Sequence, residues 1–297
     1  MKSTPSITLN NYISMPVLGL GVLDRANRAS TTNAVEAAIA AGYRLIDTAA
    51  SYLNERDVGE GLARSGMARS ELFITTKLWM SDYGEDKTQR AFDASLHRLG
   101  LDYIDLYLLH WPVPLAFEAT IAAYKVLEKL LAEGRVRAIG VSNFGSTHLR
   151  TLVERTNVVP AVNQVELNPS FQQQGLRETH RQLGIVTQAW SPIGGGFRRS
   201  ADQNNGSDPL TDPVIIGLAE KHGKTAAQVI LRWHIQKGAS VIPKSFNPER
   251  IAENMDIFDF ELSAEDTSAI DALDKGVRTG PDPETTTAKS FNLNLEQ

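Results

Sequence analysis

The sequence predicts an α/β protein folded as a (β/α)8 TIM barrel, and three observations carry that prediction. Eight short β-branched or apolar runs recur along the 297 residues. Longer segments with helical spacing lie between them, and several end in the glycine that helix C-termini favour. Strand then helix, repeated eight times, is the pattern of a closed parallel barrel.

Residues 7–18, within ITLNNYISMPVLGLG, precede the first strand and read as a hairpin closing the barrel bottom. The strands then fall at GLGV (19–22), RLID (44–47), LFITTK (72–77), YIDLYLLH (103–110), VRAIGVS (136–142), AVNQVEL (161–167), IVTQAW (185–190) and SVIPK (240–244). Helical spacing is clearest in STTNAVEAAIAAG (30–42), TQRAFDASLHRLG (88–100) and ATIAAYKVLEKLLAEG (119–134). Thr225 with Gln228, and Ser263 with Asp266, are spaced as capping boxes. Residues 191–213 lack periodicity and are rich in Gly, Asn, Asp and Pro, a composition that suits a lid or a surface insertion; their position after the seventh strand favours the lid. The Pro- and Thr-rich stretch 277–297 reads as a short exposed C-terminal tail, and 1–297 needs no second domain.

Composition excludes several function classes. With 42% hydrophobic and 22% charged residues, the chain has the makeup of an ordinary globular protein. Thirty basic against thirty-five acidic residues leave a formal charge of −5, so neither nucleic acid nor an anionic membrane is an expected partner. The absence of cysteine rules out disulfides and thiolate chemistry, and no metal site is expected. No signal peptide or membrane span is legible, so a soluble cytoplasmic protein, most simply a monomer, is expected.

Residues 103–114, YIDLYLLHWPVP, pose the functional question, because an apolar strand finishes on the titratable His110. Alone, such a histidine is more often a hydrogen-bonded rim residue than a catalyst. Barrel enzymes, however, carry their chemistry on the C-terminal strand ends. There stand Asp47, Lys77, His110, Ser142 with Asn143, Gln164, Trp190, and Lys244 with Ser245. Each has a dull explanation by itself; together on one rim they point to a site. His97, His148, His180, His222 and His234 lie in polar helical segments without metal-ligand spacing. Gly19-Leu20-Gly21 opens a dinucleotide fingerprint but meets Asp24 where its third glycine belongs, and GLAEKHGKT (217–225) is one residue too long for a phosphate loop.

GYRLIDTAASYLNERDVG (42–59), LAEGRVRAIGVSNF (131–144) and VIPKSFNPERIAEN (241–254) resemble the three signature regions of the aldo-keto reductase family. AWSPIG and GPDPET are similar to the bacterial branch that includes the 2,5-diketogluconate reductases. The resemblance implies a catalytic tetrad of Asp47, Tyr52, Lys77 and His110 and the cofactor NADPH. Tyr52 is then the proton donor to a carbonyl oxygen on which charge builds during hydride transfer, and a nearby ammonium favours the phenolate of a group that titrates near ~10 when free. Asp47 holds Lys77, while His110 fixes the substrate oxygen, with Trp79 and Trp111 as apolar walls.

For the cofactor, the resemblance implies Ser142, Asn143 and Gln164 at the carboxamide and Trp190, where many members carry Tyr, stacked on the ring. Ser191, Ile193 and Gly194 follow toward the pyrophosphate, with Arg198 or Arg199 near the 194–196 loop. Lys244, Ser245 and Arg250 are implied at the ribose phosphate, and Glu253 and Asn254 at the adenine. The expected activity is NADPH-dependent reduction of aldehydes, ketones or keto sugars; the alternative is a nucleotide-binding regulatory or structural protein with little turnover. The tail after Gly280 is shorter than in many animal members, which leaves the substrate open.

Overall fold

The structure, a computed structural model, describes residues 4–23, 28–194, 208–291, 293 and 295. Eight parallel strands follow one another around the sheet: β3 (Gly19–Gly21), β4 (Leu45–Asp47), β5 (Phe73–Leu78), β6 (Ile104–Leu109), β7 (Val136–Ser142), β8 (Val162–Glu166), β9 (Val186–Trp190) and β10 (Ser240–Val241). The ring closes where the Gly21 amide donates to Pro243 O at 3.1 Å and the Val241 amide to Val17 O at 2.8 Å. Ahead of it, β1 (Ser6–Thr8) and β2 (Ser14–Pro16) form an antiparallel hairpin with Ile7 opposite Met15. Met15 and Leu9 pack with Leu45, Phe73, Leu106 and Leu108, so the hairpin plugs the barrel bottom as expected.

The strands are apolar nearly throughout because both of their faces are covered. In β6, Leu106 and Leu108 point into the barrel, whereas Tyr107 and Leu109 pack outward under the helices. That alternation fixes which polar residues can enter the interior. Lys77 stands in register with Leu108, on the inward set, and Gln164 lies between Ser142 and Gln188.

Helices α1 (Arg28–Ala41), α2 (Glu55–Arg64), α3 (Glu85–Leu99), α4 (Phe117–Ala132), α5 (Ser146–Arg155) and α6 (Gln174–Leu183) each follow one strand from β3 to β8. Two helices, α7 (Pro213–His222) and α8 (Ala226–Gln236), separate β9 from β10, where simple alternation provides one. α9 (Pro248–Met255) and α10 (Ala264–Asp271) complete the outer ring. Both expected capping boxes form, with Gln228 N on Thr225 Oγ1 at 3.3 Å and Asp266 N on Ser263 Oγ at 3.1 Å.

One expectation needs correction. The stretch from 277 is no exposed tail: Gly280 lies against Trp190, Pro283 and Thr286 are buried, and Phe291 packs on Trp79 and Trp111. Its polar composition hides this because two backbone amides and one small hydroxyl, those of Thr279 and Gly280, share in the anchoring with the distant Phe291 ring. Of the five helical histidines, His148, His180 and His234 are buried and hydrogen-bonded. Of the expected lid, 195–207, with Arg198 and Arg199, lies outside the described residues. Among the described residues no helix is long and apolar enough to cross a membrane.

Candidate active site

A cavity of about 1140 Å³ opens at the C-terminal ends of the strands. Its walls run from Asp47, Tyr52, Trp79, His110 and Trp111, past Ser142, Asn143, Gln164 and Trp190, to Lys244, Ser245, Arg250, Glu253 and Asn254. Elongated clefts of this size suit a cofactor together with a small substrate.

At the inner end, β4 delivers Asp47, and the short turn Ala50–Tyr52 that follows brings Tyr52 back over β5. Lys77 is completely buried and donates to Asp47 Oδ1 at 2.5 Å, to Thr48 O at 2.9 Å and to Tyr52 Oη at 3.5 Å. Burial by itself lowers the lysine pKa; the Asp47 carboxylate, and then Tyr52, outweigh it and hold the ammonium above its ordinary value. Burial likewise pushes the Asp47 carboxyl up, opposed by Lys77 and Gln164. The result is a charged ammonium fixed beside a phenol.

His110 begins the loop after β6, its amide on Leu78 O at 3.1 Å. Its ring meets Tyr52 edge-on at 5.8 Å and Trp79 at 5.1 Å, and lies parallel to Trp111. Nδ1 is 3.4 Å from Ser51 Oγ, a partner that the sequence did not single out. Tyr83 braces the next residue by donating to Trp111 O at 2.7 Å and accepting from Trp111 N at 3.2 Å. Phe291 completes the aromatic wall from the far end of the chain.

The middle of the cavity is interlocked through Asn143, which takes φ 66°, a left-handed conformation that asparagine tolerates better than most residues. Its amide nitrogen donates to His110 O at 3.0 Å and to Ser142 Oγ at 3.1 Å, while its oxygen accepts from Trp190 Nε1 at 2.9 Å. The ends of β6, β7 and β9 are thus joined through one side chain. Ser191, Ile193 and Gly194 continue the wall beyond Trp190.

At the outer end, Lys244 and Arg250 are exposed and neither is paired with a carboxylate among the described residues. Asn247 caps α9 through Glu249 N at 2.8 Å and Arg250 N at 3.2 Å, which places the arginine in the first turn. Glu253 accepts from Thr225 Oγ1 at 2.9 Å, and Asn254 is buried.

Sequence reasoning passed over Glu166. This fully buried carboxylate at the end of β8 accepts from Thr279 N at 2.8 Å, Thr279 Oγ1 at 2.6 Å and Gly280 N at 3.0 Å. Gly280 can approach so closely because it lacks a side chain; a Cβ there would stand 2.4 Å from the Trp190 ring. Glu166→Ala removes the bonds that hold Thr279 and Gly280 at the start of the 278–291 strap, at about 1.5–3 kcal/mol per charge-assisted bond. The expected result is much faster cleavage between 278 and 291 in limited proteolysis, while cleavage elsewhere stays slow; an unchanged digest would count against the anchoring role.

A buried ammonium and a phenol at the top of a parallel barrel, in a cleft walled by aromatic rings, define a barrel site for polar chemistry on a small molecule. The chain belongs to the aldo/keto reductase family, whose model matches residues 17–275. It is 56% identical over 290 residues to a morphine 6-dehydrogenase of Pseudomonas putida, covering 97% of each chain. It is 48% identical over 279 residues to a glyoxal reductase of Bacillus subtilis, covering 94% of this chain and 96% of that one. Among solved structures, a Bombyx mori aldo-keto reductase in complex with NADP superposes with a TM-score of 0.87 at 36% identity, over 96% of this chain and 97% of the other.

Proposed function

We propose that the protein is an NADPH-dependent oxidoreductase that reduces aldehydes, ketones or keto sugars to alcohols, with Tyr52 as general acid. The observation that carries this reading is the Lys77 ammonium, buried between Asp47 and Tyr52 at the head of a cleft that ends on the exposed cations of Lys244 and Arg250. The names of the relatives, a dehydrogenase and a reductase, suit the same redox couple run in either direction.

The residues present fit NADPH. The half-buried Trp190 offers a flat face, the Gln164 side-chain oxygen accepts no hydrogen bond among the described residues, and Lys244 and Arg250 are available to a phosphate. When bound, the cofactor would supply the hydride. The chain supplies the rest: Ser142, Asn143 and Gln164 orient the carboxamide, and His110 donates to the carbonyl oxygen and holds it within reach of Tyr52. Tyr52 gives its proton to that oxygen, and the adjacent ammonium stabilises the phenolate left behind. Trp79, Trp111 and Phe291 keep water from the reacting end.

The direct test is the loss of NADPH absorbance with a panel of aldehydes, dicarbonyls and keto sugars. Turnover is expected with reactive aldehydes; tight nucleotide binding without turnover on any member would mark a binding protein instead. The outer end has its own prediction. Replacing both Lys244 and Arg250 by alanine should weaken NADPH on the order of ten-fold or more and leave NADH nearly unchanged, since only NADPH carries the ribose phosphate. Equal losses for the two nucleotides, or a wild type that prefers NADH, would refute the phosphate site.

A further inference from the structure

The barrel interior contains a polar chain that the reaction does not explain. Asp47, Gln164, Gln188 and Ser240 are all 1% exposed or less. Strand register sets Gln164 beside Gln188, and Gln188 beside Ser240. Gln164 Nε2 donates both of its hydrogens, to Asp47 Oδ2 at 2.7 Å and to Gln188 Oε1 at 2.8 Å. Gln188 Nε2 donates in turn to Ser240 Oγ at 3.1 Å, and Ser240 Oγ to Pro16 O at 3.5 Å.

Such a chain has two self-consistent polarities. Each primary amide can turn over, exchanging its donor edge for its acceptor edge, and a serine hydroxyl serves in either direction. Asp47 decides between them. Its carboxylate, with Lys77 on Oδ1, has only lone pairs to offer at Oδ2, so the edge of Gln164 that meets it must be the amino group. Gln188 must then present its oxygen to Gln164 and its amino group to Ser240. The Gln164 oxygen, which accepts nothing among the described residues, is left for the cavity that Gln164 lines.

We propose that the Asp47 carboxylate is a positioning residue for cofactor recognition as well as for Lys77: through its direct hydrogen bond to Gln164 Nε2 it fixes Gln164 as a hydrogen-bond acceptor toward the amino group of the nicotinamide carboxamide. The inference rests on the reading of the cavity as a nicotinamide nucleotide site. It ties the proton-donor assembly and the carboxamide contact into one hydrogen-bonded unit.

In Asp47→Asn, Lys77 holds the Asn oxygen and turns its amino group to Gln164. Gln164 and Gln188 then both reverse, Ser240 becomes the donor to Gln188, and Gln164 shows the cavity an amino group. The experiment compares the dissociation constants of NADP+ and its 3-acetylpyridine analogue, in which methyl replaces the carboxamide amino group. Wild type should prefer NADP+ on the order of ten-fold. Asp47→Asn should bring that ratio close to one. Gln188→Met cuts the chain but keeps the carboxylate, so its ratio should stay near that of wild type. Partial misfolding cancels because each ratio comes from a single preparation.

The outcomes separate the inference from the reading beneath it. A wild type that does not discriminate, or discrimination that survives Gln164→Met, defeats the carboxamide contact itself. Discrimination lost in Gln164→Met but intact in Asp47→Asn overturns only the role given to Asp47. A measurement on wild type needs no folded variant: the Gln164 side-chain NH2 resonances should exchange slowly with solvent both with and without NADP+, because both hydrogens point into the barrel. Rapid exchange in the free protein would place that amino group in the cavity and overturn the polarity.

Discussion

Tyr52→Phe is expected to bind NADPH as wild type does and to reduce carbonyls slower by a factor on the order of 10² to 10⁴. The substitution deletes one oxygen, the atom 3.5 Å from the Lys77 ammonium, and keeps the ring that packs edge-on against His110. Nothing else in the cleft has to move. Removing a group that acts only as the carbonyl oxygen gains charge lowers kcat and kcat/KM together and leaves ground-state binding alone. The predicted loss equals about 2.7–5.4 kcal/mol of barrier, a plausible share for one positioned acid. Steady-state kinetics beside nucleotide titration check it. Turnover near the wild-type rate would remove Tyr52 from the role, and a matching loss of NADPH affinity would point to a damaged cleft.

Strand positions and the strand-end residues were legible because both rest on local patterns: the apolar runs recur, and a polar or aromatic residue at the end of each from the second to the eighth is visible in one dimension. Asp47, Lys77 and His110 were found in this way, and the structure brings them together with Tyr52 at one end of the cavity. What escaped depends on contacts between distant parts of the chain. Phe291 has no feature that predicts its place on Trp79, and the polar strap before it is held at Thr279 and Gly280 by two backbone amides and one hydroxyl, most of which side-chain composition does not register. Glu166 looked like any carboxylate at a strand end. Its signal was the small, close-fitting Thr279-Gly280 pair more than a hundred residues later, meaningful only once β8 and the strap are side by side. Gln164 was read as a cofactor contact; its second engagement, with Asp47, depends on the inward alternation of two strands and is invisible to motif matching.

Lys77→Met should be as inactive as Tyr52→Phe, and in addition less stable in a way that depends on pH. The methionine fills the lysine's volume but leaves the Asp47 carboxylate, 1% exposed, without its cation. Breaking a buried pair from one side costs on the order of 3–5 kcal/mol, because the remaining charge must stay buried unpaired or take up a proton. Burial already raises the Asp47 pKa, and Lys77 is the main opposing influence, so its loss lifts the carboxyl further. A group whose folded-state pKa is raised stabilises the fold below its unfolded pKa, and that stability disappears as pH rises through the folded value. The deficit against wild type should therefore be smaller at pH 5 than at pH 8, as read from denaturant midpoints. In wild type the raised Lys77 pKa keeps its own contribution intact until the pH passes the ordinary lysine range. Adding Asp47→Asn to Lys77→Met removes the stranded charge, so the double variant should regain most of the stability without regaining turnover. A deficit equal at both pH values would mean that Asp47 is not what suffers, and near-normal turnover in Lys77→Met at neutral pH would show that the phenol gives up its proton without the ammonium beside it.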